Sequence, residues 1–171
     1  DSDIMETYTP FGHSDYQTIV ADVKKFAAAK PTAGISTING DSNVPFYKEL
    51  ANQGIKAEDI PVIAFSVGEE ELRGIDTAPL VGHLAAWNYF MSIETPENTA
   101  FIKKWKAHVK KNNLPGGDKR VTNDPMEAHY IGIHMWAQAV RQAGSTDVAA
   151  ARQAMGYQTF KSPSGYVIKM D

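Results

Sequence analysis

Two short polar segments carry the side chains best suited to binding a small ligand. Asp41 and Ser42 follow an apolar, β-branched run at 35–38 and precede a helical pattern. Glu69 follows a second apolar run at 61–65 and also opens a helical pattern. A carboxylate accepts hydrogen bonds and a serine hydroxyl both donates and accepts them, so these residues could hold a small polar molecule.

The same three residues also have a structural interpretation. Asp41 and Ser42 could cap the helix that follows them. Glu69, Glu70 and Glu71 could simply be first-turn carboxylates, which interact favourably with the helix dipole. Consecutive helical positions point about 100° apart, so only one of the three glutamates can face a cleft. Glu69, which is nearest the end of the strand, is our candidate, and both interpretations stay open.

Aromatic residues follow another predicted strand, and among them we select Tyr89 as the fourth candidate ligand residue. Trp87 and Phe90 lie beside it in the sequence. A Trp or Tyr in such a position is most often part of the core, with its polar atom hydrogen-bonded. The aromatic side chains therefore carry less weight than the carboxylates.

The elements that would position these residues alternate along the first half of the chain. We predict strands at 4–8, 34–38, 61–65 and 80–85, separated by helices, then helices at 96–111, 124–143 and 147–155, and a hairpin at 157–170. This order predicts an α/β fold of three layers with a mostly parallel sheet. Right-handed crossovers would bring the carboxyl ends of the strands to one edge, where such sheets bind ligands. We interpret residues 1–171 as a single α/β domain.

Several classes of function lack support in the sequence. The net charge is −3 and there are no cysteines, so we expect neither nucleic-acid binding nor a thiolate zinc site. No phosphate-binding loop, dinucleotide fingerprint or nucleophile elbow is present. His129 and His134 are five residues apart, which separates them around a helix. We expect no catalytic residue, no metal, no cofactor and no insertion into a membrane.

Seven motifs in order give the chain a family resemblance. They are GHSDY at 12–16, NGDSNVPFY at 39–47, SVGEEEL at 66–72, GHLAAWNYF at 82–90, TPEN at 95–98, MEAHY at 126–130 and SPSG at 162–165. Together they resemble the substrate-binding proteins of bacterial urea ABC transporters. These are type I periplasmic binding proteins, alongside the short-chain amide sensors and the branched-chain amino-acid receptors.

The resemblance implies the C-terminal lobe of a two-lobed receptor, with the N-terminal lobe absent from this chain. It implies an extracytoplasmic solute-binding component of an ABC importer that binds urea or a short amide between its lobes, with ABC permease subunits as partners. In such a site Asp41, Ser42 and Glu69 would accept amide N–H groups, and Tyr89 would pack or donate. The periplasmic location rests on the resemblance, since we recognise no signal peptide in this chain.

Three alternatives stay open. An amide-responsive sensor with the same fold would use the same site. A receptor for an amino acid would direct Asp41 and Glu69 to the ligand's ammonium group. An enzyme with a flavodoxin-like α/β domain is disfavoured, because the sequence shows no nucleophile paired with a base.

Overall fold

The structure is a computed structural model that describes residues 4–171. The chain divides into two compact units, Asp1–Trp87 and Asn88–Asp171, which we name unit 1 and unit 2. The parallel sheet belongs to unit 1, whereas unit 2 is mainly helical. The interpretation of residues 1–171 as a single domain remains a prediction.

Unit 1 is built on a three-stranded parallel sheet in the order β1-β2-β3. Its strands and helices, in chain order, are α1 Gln17–Ala27, β1 Gly34–Ser36, α2 Asn43–Asn52, β2 Val62–Ala64, α3 Glu69–Leu72 and β3 Leu84–Ala85. Single 3-10 turns at Gly40–Ser42 and Ala78–Leu80 complete it. The parallel sheet predicted from the sequence is therefore confirmed for these three strands.

One face of this sheet carries the core of unit 1. Ser36, Val62 and Ala64 lie on that face and are buried, together with Leu50 of α2 and Val20 of α1. The other face carries Ile35, Ile63 and Leu84, which are opposite one another in register. The alternation of buried and exposed positions is the two-residue period of a pleated strand.

Two predicted strands are wrong in whole or in part. Residues 4–8 form no strand, and Ile4 and Tyr8 are 70% and 89% exposed. A strand exists only through pairing, and no described strand pairs with this segment. The strand predicted at 80–85 shrinks to Leu84–Ala85, because the chain first makes a 3-10 turn and then passes through Gly82 at a φ of 99°.

Unit 2 consists of three helices and a hairpin, as predicted. They are α4 Pro96–Lys111, α5 Asp124–Ala143, α6 Val148–Met155, β4 Thr159–Lys161 and β5 Val167–Lys169, with a 3-10 turn at Gly117–Lys119. Thr95 caps α4 by accepting the Asn98 N–H at 3.0 Å, and Asn123 caps α5 in the same way. Gly144 ends α5 at a φ of 62°, a left-handed conformation that glycine adopts readily. Within residues 4–171, no helix is both long and apolar enough to cross a membrane.

Candidate functional site at the sheet edge of unit 1

The loop after β1 carries an exposed carboxylate. Gly40 adopts a φ of 60°, and the chain then enters α2 through the 3-10 turn Gly40–Ser42. Asp41 in this turn is exposed, and its side chain makes no hydrogen bond or ion pair with any other described residue. It does not cap α2, so the structural interpretation of this carboxylate does not apply. Asp41 is available to a ligand.

Ser42 is much less accessible than Asp41. The residue is 5% exposed, and its Oγ is buried with no hydrogen-bond partner among the described residues. Nor does Ser42 cap α2 with its side chain. A buried hydroxyl without a partner costs free energy, which leaves this oxygen able to gain from a new donor or acceptor. Contact between Ser42 and a ligand remains a prediction.

The loop after β2 is shaped by Gly68 and Glu71. The Gly68 N–H donates to Glu71 Oε2 at 2.9 Å, which closes the first turn of α3. Glu69 is the first residue of α3 and is half-buried, with its Oε2 atom enclosed. Glu70 is exposed and pairs with Arg73 at 2.5 Å. Glu71 and Glu70 thus contact Gly68 and Arg73, the residues that flank α3.

An aromatic side chain supports this second loop. A Cβ placed on Gly68 would lie 2.9 Å from Cζ3 of Trp87, so the indole ring packs directly against the Gly68 backbone. Trp87 follows the carboxyl end of β3 and is half-buried. Trp87 is therefore an aromatic residue that packs against the second loop at the sheet edge of unit 1. Its position after β3 was the available sequence signal, but Tyr89 and Phe90 share that signal.

Tyr89 lies in unit 2 and is fully buried. Its hydroxyl donates to Asn98 Oδ1 at 2.6 Å and lies 2.7 Å from Thr122 Oγ1, and its backbone N–H donates to Asp124 Oδ2 at 3.0 Å. The structure thus gives Tyr89 a packing role within unit 2. Its predicted contact with a ligand remains a prediction.

The loops after β1 and β2 are joined by Asn43, a residue that the sequence interpretation missed. Its Nδ2 donates to Ile38 O at 2.9 Å and to Gly40 O at 3.2 Å in the first loop. The same nitrogen donates to Ser66 O at 3.2 Å in the second. The structure therefore brings the segments of Asp41 and Glu69 together at the carboxyl edge of the sheet. The partner in the second loop is 23 residues away, so no local pattern could have revealed it.

The charge of this edge is negative. Segments 36–43, 64–69 and 85–87 contain no Lys or Arg, while they contain Asp41 and Glu69. No group of three or more His, Cys, Asp or Glu side chains placed to hold a metal ion occurs among residues 4–171. The arrangement can accept hydrogen bonds from a ligand and can attract a positive group, but it offers no side-chain cation to an anion.

Two groups in the described part of unit 1 have altered acidity, and their ring centroids lie 6.4 Å apart. Burial raises the pKa of Tyr47 to about 12. Burial also lowers the pKa of His83, whose Nδ1 accepts the Val62 N–H at 3.1 Å. His83 precedes β3 and Val62 begins β2, so this hydrogen bond lies at the amino edge of the sheet. We therefore assign both groups to stability.

The whole chain, residues 1–171, matches the family model described as a periplasmic binding protein domain. The chain belongs to this family. It has the type I periplasmic binding protein fold, an α/β fold with a parallel sheet. This confirms the predicted fold class.

Solved structures that are similar to this chain include ABC-transporter proteins. One is a solute-binding protein from R. palustris in complex with 4-hydroxybenzoate, with a TM-score of 0.71, 21% identity and coverage of 96% of this chain and 43% of that one. Another is a branched-chain amino-acid ABC transporter periplasmic ligand-binding protein from Burkholderia xenovorans, with a TM-score of 0.64, 16% identity and coverage of 94% and 42%. This periplasmic binding protein chain thus spans less than half the length of these relatives.

One further protein shares sequence with part of the chain. The chain is 31% identical over 86 residues to a protein named limonene hydroxylase from Geobacillus stearothermophilus. The match covers 50% of this chain and only 14% of that protein. It therefore carries no argument about the chemistry of this periplasmic binding protein.

Proposed function

We propose that the chain is part of the extracytoplasmic solute-binding component of an ABC importer, and that it binds urea or a short amide. The family match and the solved ABC-transporter relatives support the general role. The observation that supports urea or a short amide as the ligand is the set of side chains at the sheet edge of unit 1. This edge presents the exposed Asp41, which has no side-chain partner among residues 4–171, and the half-buried Glu69, with no Lys or Arg in the adjoining loops.

This edge favours a ligand that donates hydrogen bonds. Urea presents four N–H donors and one carbonyl acceptor, so carboxylate oxygens are suitable partners for most of its polar atoms. An aromatic carboxylate would place its negative charge beside Asp41 and Glu69 without a neighbouring cation to offset it. The edge therefore fits a neutral amide better than an acid of the type bound by the R. palustris protein.

A second candidate ligand is an amino acid, and the same observation favours it. The exposed carboxylate of Asp41 would attract the ligand's ammonium group. A regulator that senses amides with the same fold would share the site and differ only in its partners. We propose a transport role with ABC permease subunits as partners and a periplasmic location, because both solved relatives belong to ABC transporters.

The proposed mechanism is binding followed by closure of two lobes, and no chemical step is involved. A ligand that contacts both lobes stabilises the closed state by its differential affinity for that state. Neither described loop holds a nucleophile paired with a base. The Ser42 hydroxyl could serve as a nucleophile only with a base beside it, and its Oγ has no hydrogen-bond partner among the described residues. We therefore propose a binding protein and not an enzyme.

Substitution of one carboxylate tests the site. In the natural full-length protein we expect Glu69→Gln to weaken urea or acetamide binding about tenfold, which is about 1.4 kcal/mol and close to the lower end of the range for a hydrogen bond to a charged group. Thermal stability should change little, since a first-turn carboxylate contributes about 0.3–1 kcal/mol to its helix. Calorimetric titration measures the affinity.

The matched control is Glu70→Gln, which changes the adjacent carboxylate that pairs with Arg73. It should leave the affinity unchanged. Equal affinities for Glu69→Gln and the unsubstituted protein would show that Glu69 is not a ligand residue.

A further inference from the structure

Asn43 is buried at the junction of the two loops that carry the proposed ligand residues. It is 0% exposed and is the first residue of α2. Asp41 precedes it by two positions, and Glu69 follows its distant partner Ser66 by three. Every hydrogen bond that the side chain makes in the structure is donated by Nδ2 to a backbone carbonyl. Substituting this side chain would therefore act on loop geometry without removing an exposed group.

The three accepting carbonyls fix the orientation of the Asn43 amide. An amide NH2 has two hydrogens, so at least one hydrogen is shared between two of the carbonyls of Ile38, Gly40 and Ser66. The opposite orientation would place Oδ1 against three other oxygens. Oδ1 therefore points away from them, and it has no hydrogen-bond partner among the described residues.

Residues next to these two loops make further contacts that hold the loops in place. The Ile38 N–H lies 3.4 Å from Ser36 Oγ at the end of β1, and the Phe65 N–H donates to Ser36 O at 3.1 Å. The second loop is held on its other side by the Gly68–Glu71 hydrogen bond and by the Trp87 ring. The one side chain that donates to both loops is Asn43, among the residues that the structure describes.

We infer that Asn43 is a positioning residue, which sets the spacing of the Asp41 and Glu69 loops before the ligand arrives. This inference rests on the proposed function, since it concerns the same site. A site whose acceptors are already fixed loses less conformational entropy on binding and therefore binds more tightly. Asn43 acts through the loops and does not itself touch the ligand.

The test compares two core substitutions in the natural full-length protein. Asn43→Ala removes the donor, and Val20→Ala destabilises the same unit from the buried face of α1, at a position outside both loops. Hydrogen exchange of the ligand-free proteins is measured at segments 37–42 and 65–69, and the affinity for urea and acetamide is measured by calorimetry. We expect Asn43→Ala to speed exchange in both segments about tenfold and to weaken binding about tenfold, whereas Val20→Ala should do neither.

Two results would overturn the inference. One is faster exchange in segment 37–42 alone, which would make Asn43 a local stabiliser of its own loop. The other is equal acceleration by Val20→Ala, which would make the effect one of general stability. If Asn43→Ala does not fold, Asn43→Ser, which keeps one short donor, is measured and should fall between Asn43→Ala and the unsubstituted protein. If the unsubstituted protein binds neither urea nor acetamide, the proposed function fails, while the exchange data still decide the role of Asn43.

Discussion

At the scale of single residues, the acids of unit 1 differ in what they already contact. Glu71 accepts the Gly68 N–H and Glu70 pairs with Arg73, so both stabilise α3. Asp41 has no such partner among the described residues and is exposed. This difference, more than the number of acids, indicates which carboxylates can serve a ligand. From the sequence, the strand-to-helix junctions located Asp41 and Glu69, but the bonds of Asn43 depend on a folded neighbour and had no local signal.

His83 gives unit 1 a pH-dependent stability. The pKa of this histidine in the folded protein is lowered by burial, and its Nδ1 must be unprotonated to accept the Val62 N–H. A lowered pKa favours the neutral form, so this stabilisation is fully present above the unfolded pKa of about 6.5 and is lost as the pH falls through the folded value. We expect the melting temperature to drop between pH 7 and pH 5.

The control is His83→Asn, whose Oδ1 can replace Nδ1 as the acceptor for the Val62 N–H but does not titrate. The two proteins differ only at position 83, so the difference between their melting curves isolates the contribution of His83. The variant should be less sensitive to pH over this range. Parallel pH profiles for the two proteins would contradict the assignment.

At the scale of elements, the helices, the strands β1 and β2 and the hairpin were predictable, whereas the strands predicted at 4–8 and 80–85 were wrong in whole or in part. Thr95, Asn123 and Gly144 mark the ends of α4 and α5 through local contacts, and a local pattern can reveal such signals. The strand predicted at 4–8 needed a partner that the described chain does not provide. The positive φ of Gly82 shortened the strand predicted at 80–85. The first failure concerns tertiary pairing, which the pattern of a single segment does not contain, and the second concerns the backbone conformation at Gly82.

The close contact between Gly68 and Trp87 predicts that a side chain at position 68 lowers the stability of the protein. Gly68→Ala would place a Cβ 2.9 Å from Cζ3 and 3.2 Å from Cε3 of the indole. Because the ring is rigid and half-buried, we expect a loss of about 1–3 kcal/mol in the free energy of unfolding. Denaturant unfolding measures this loss.

Gly74→Ala is the matched control, because no atom lies within 4 Å of the position its Cβ would take. Its unfolding free energy should stay within about 0.5 kcal/mol of the unsubstituted protein. If both variants unfold at the same denaturant concentration, Trp87 does not support this loop.

At the scale of the whole molecule, similarity to known proteins establishes the family and the fold but does not identify the ligand. The family model covers residues 1–171, and the solved relatives share the fold at 16–21% identity. Their names show that this fold serves both an aromatic acid and branched-chain amino acids. The ligand class therefore depends on the side chains of this chain, and the charged ones at the sheet edge of unit 1, Asp41 and Glu69, are acceptors.

The most direct test is a calorimetric titration of the natural full-length protein with four compounds in turn: urea, acetamide, leucine and 4-hydroxybenzoate. All are added far below concentrations that denature proteins. We predict saturable binding of urea or acetamide and much weaker binding of 4-hydroxybenzoate. Tight binding of 4-hydroxybenzoate with no heat from either amide would contradict the proposal that this site selects ligands that donate hydrogen bonds.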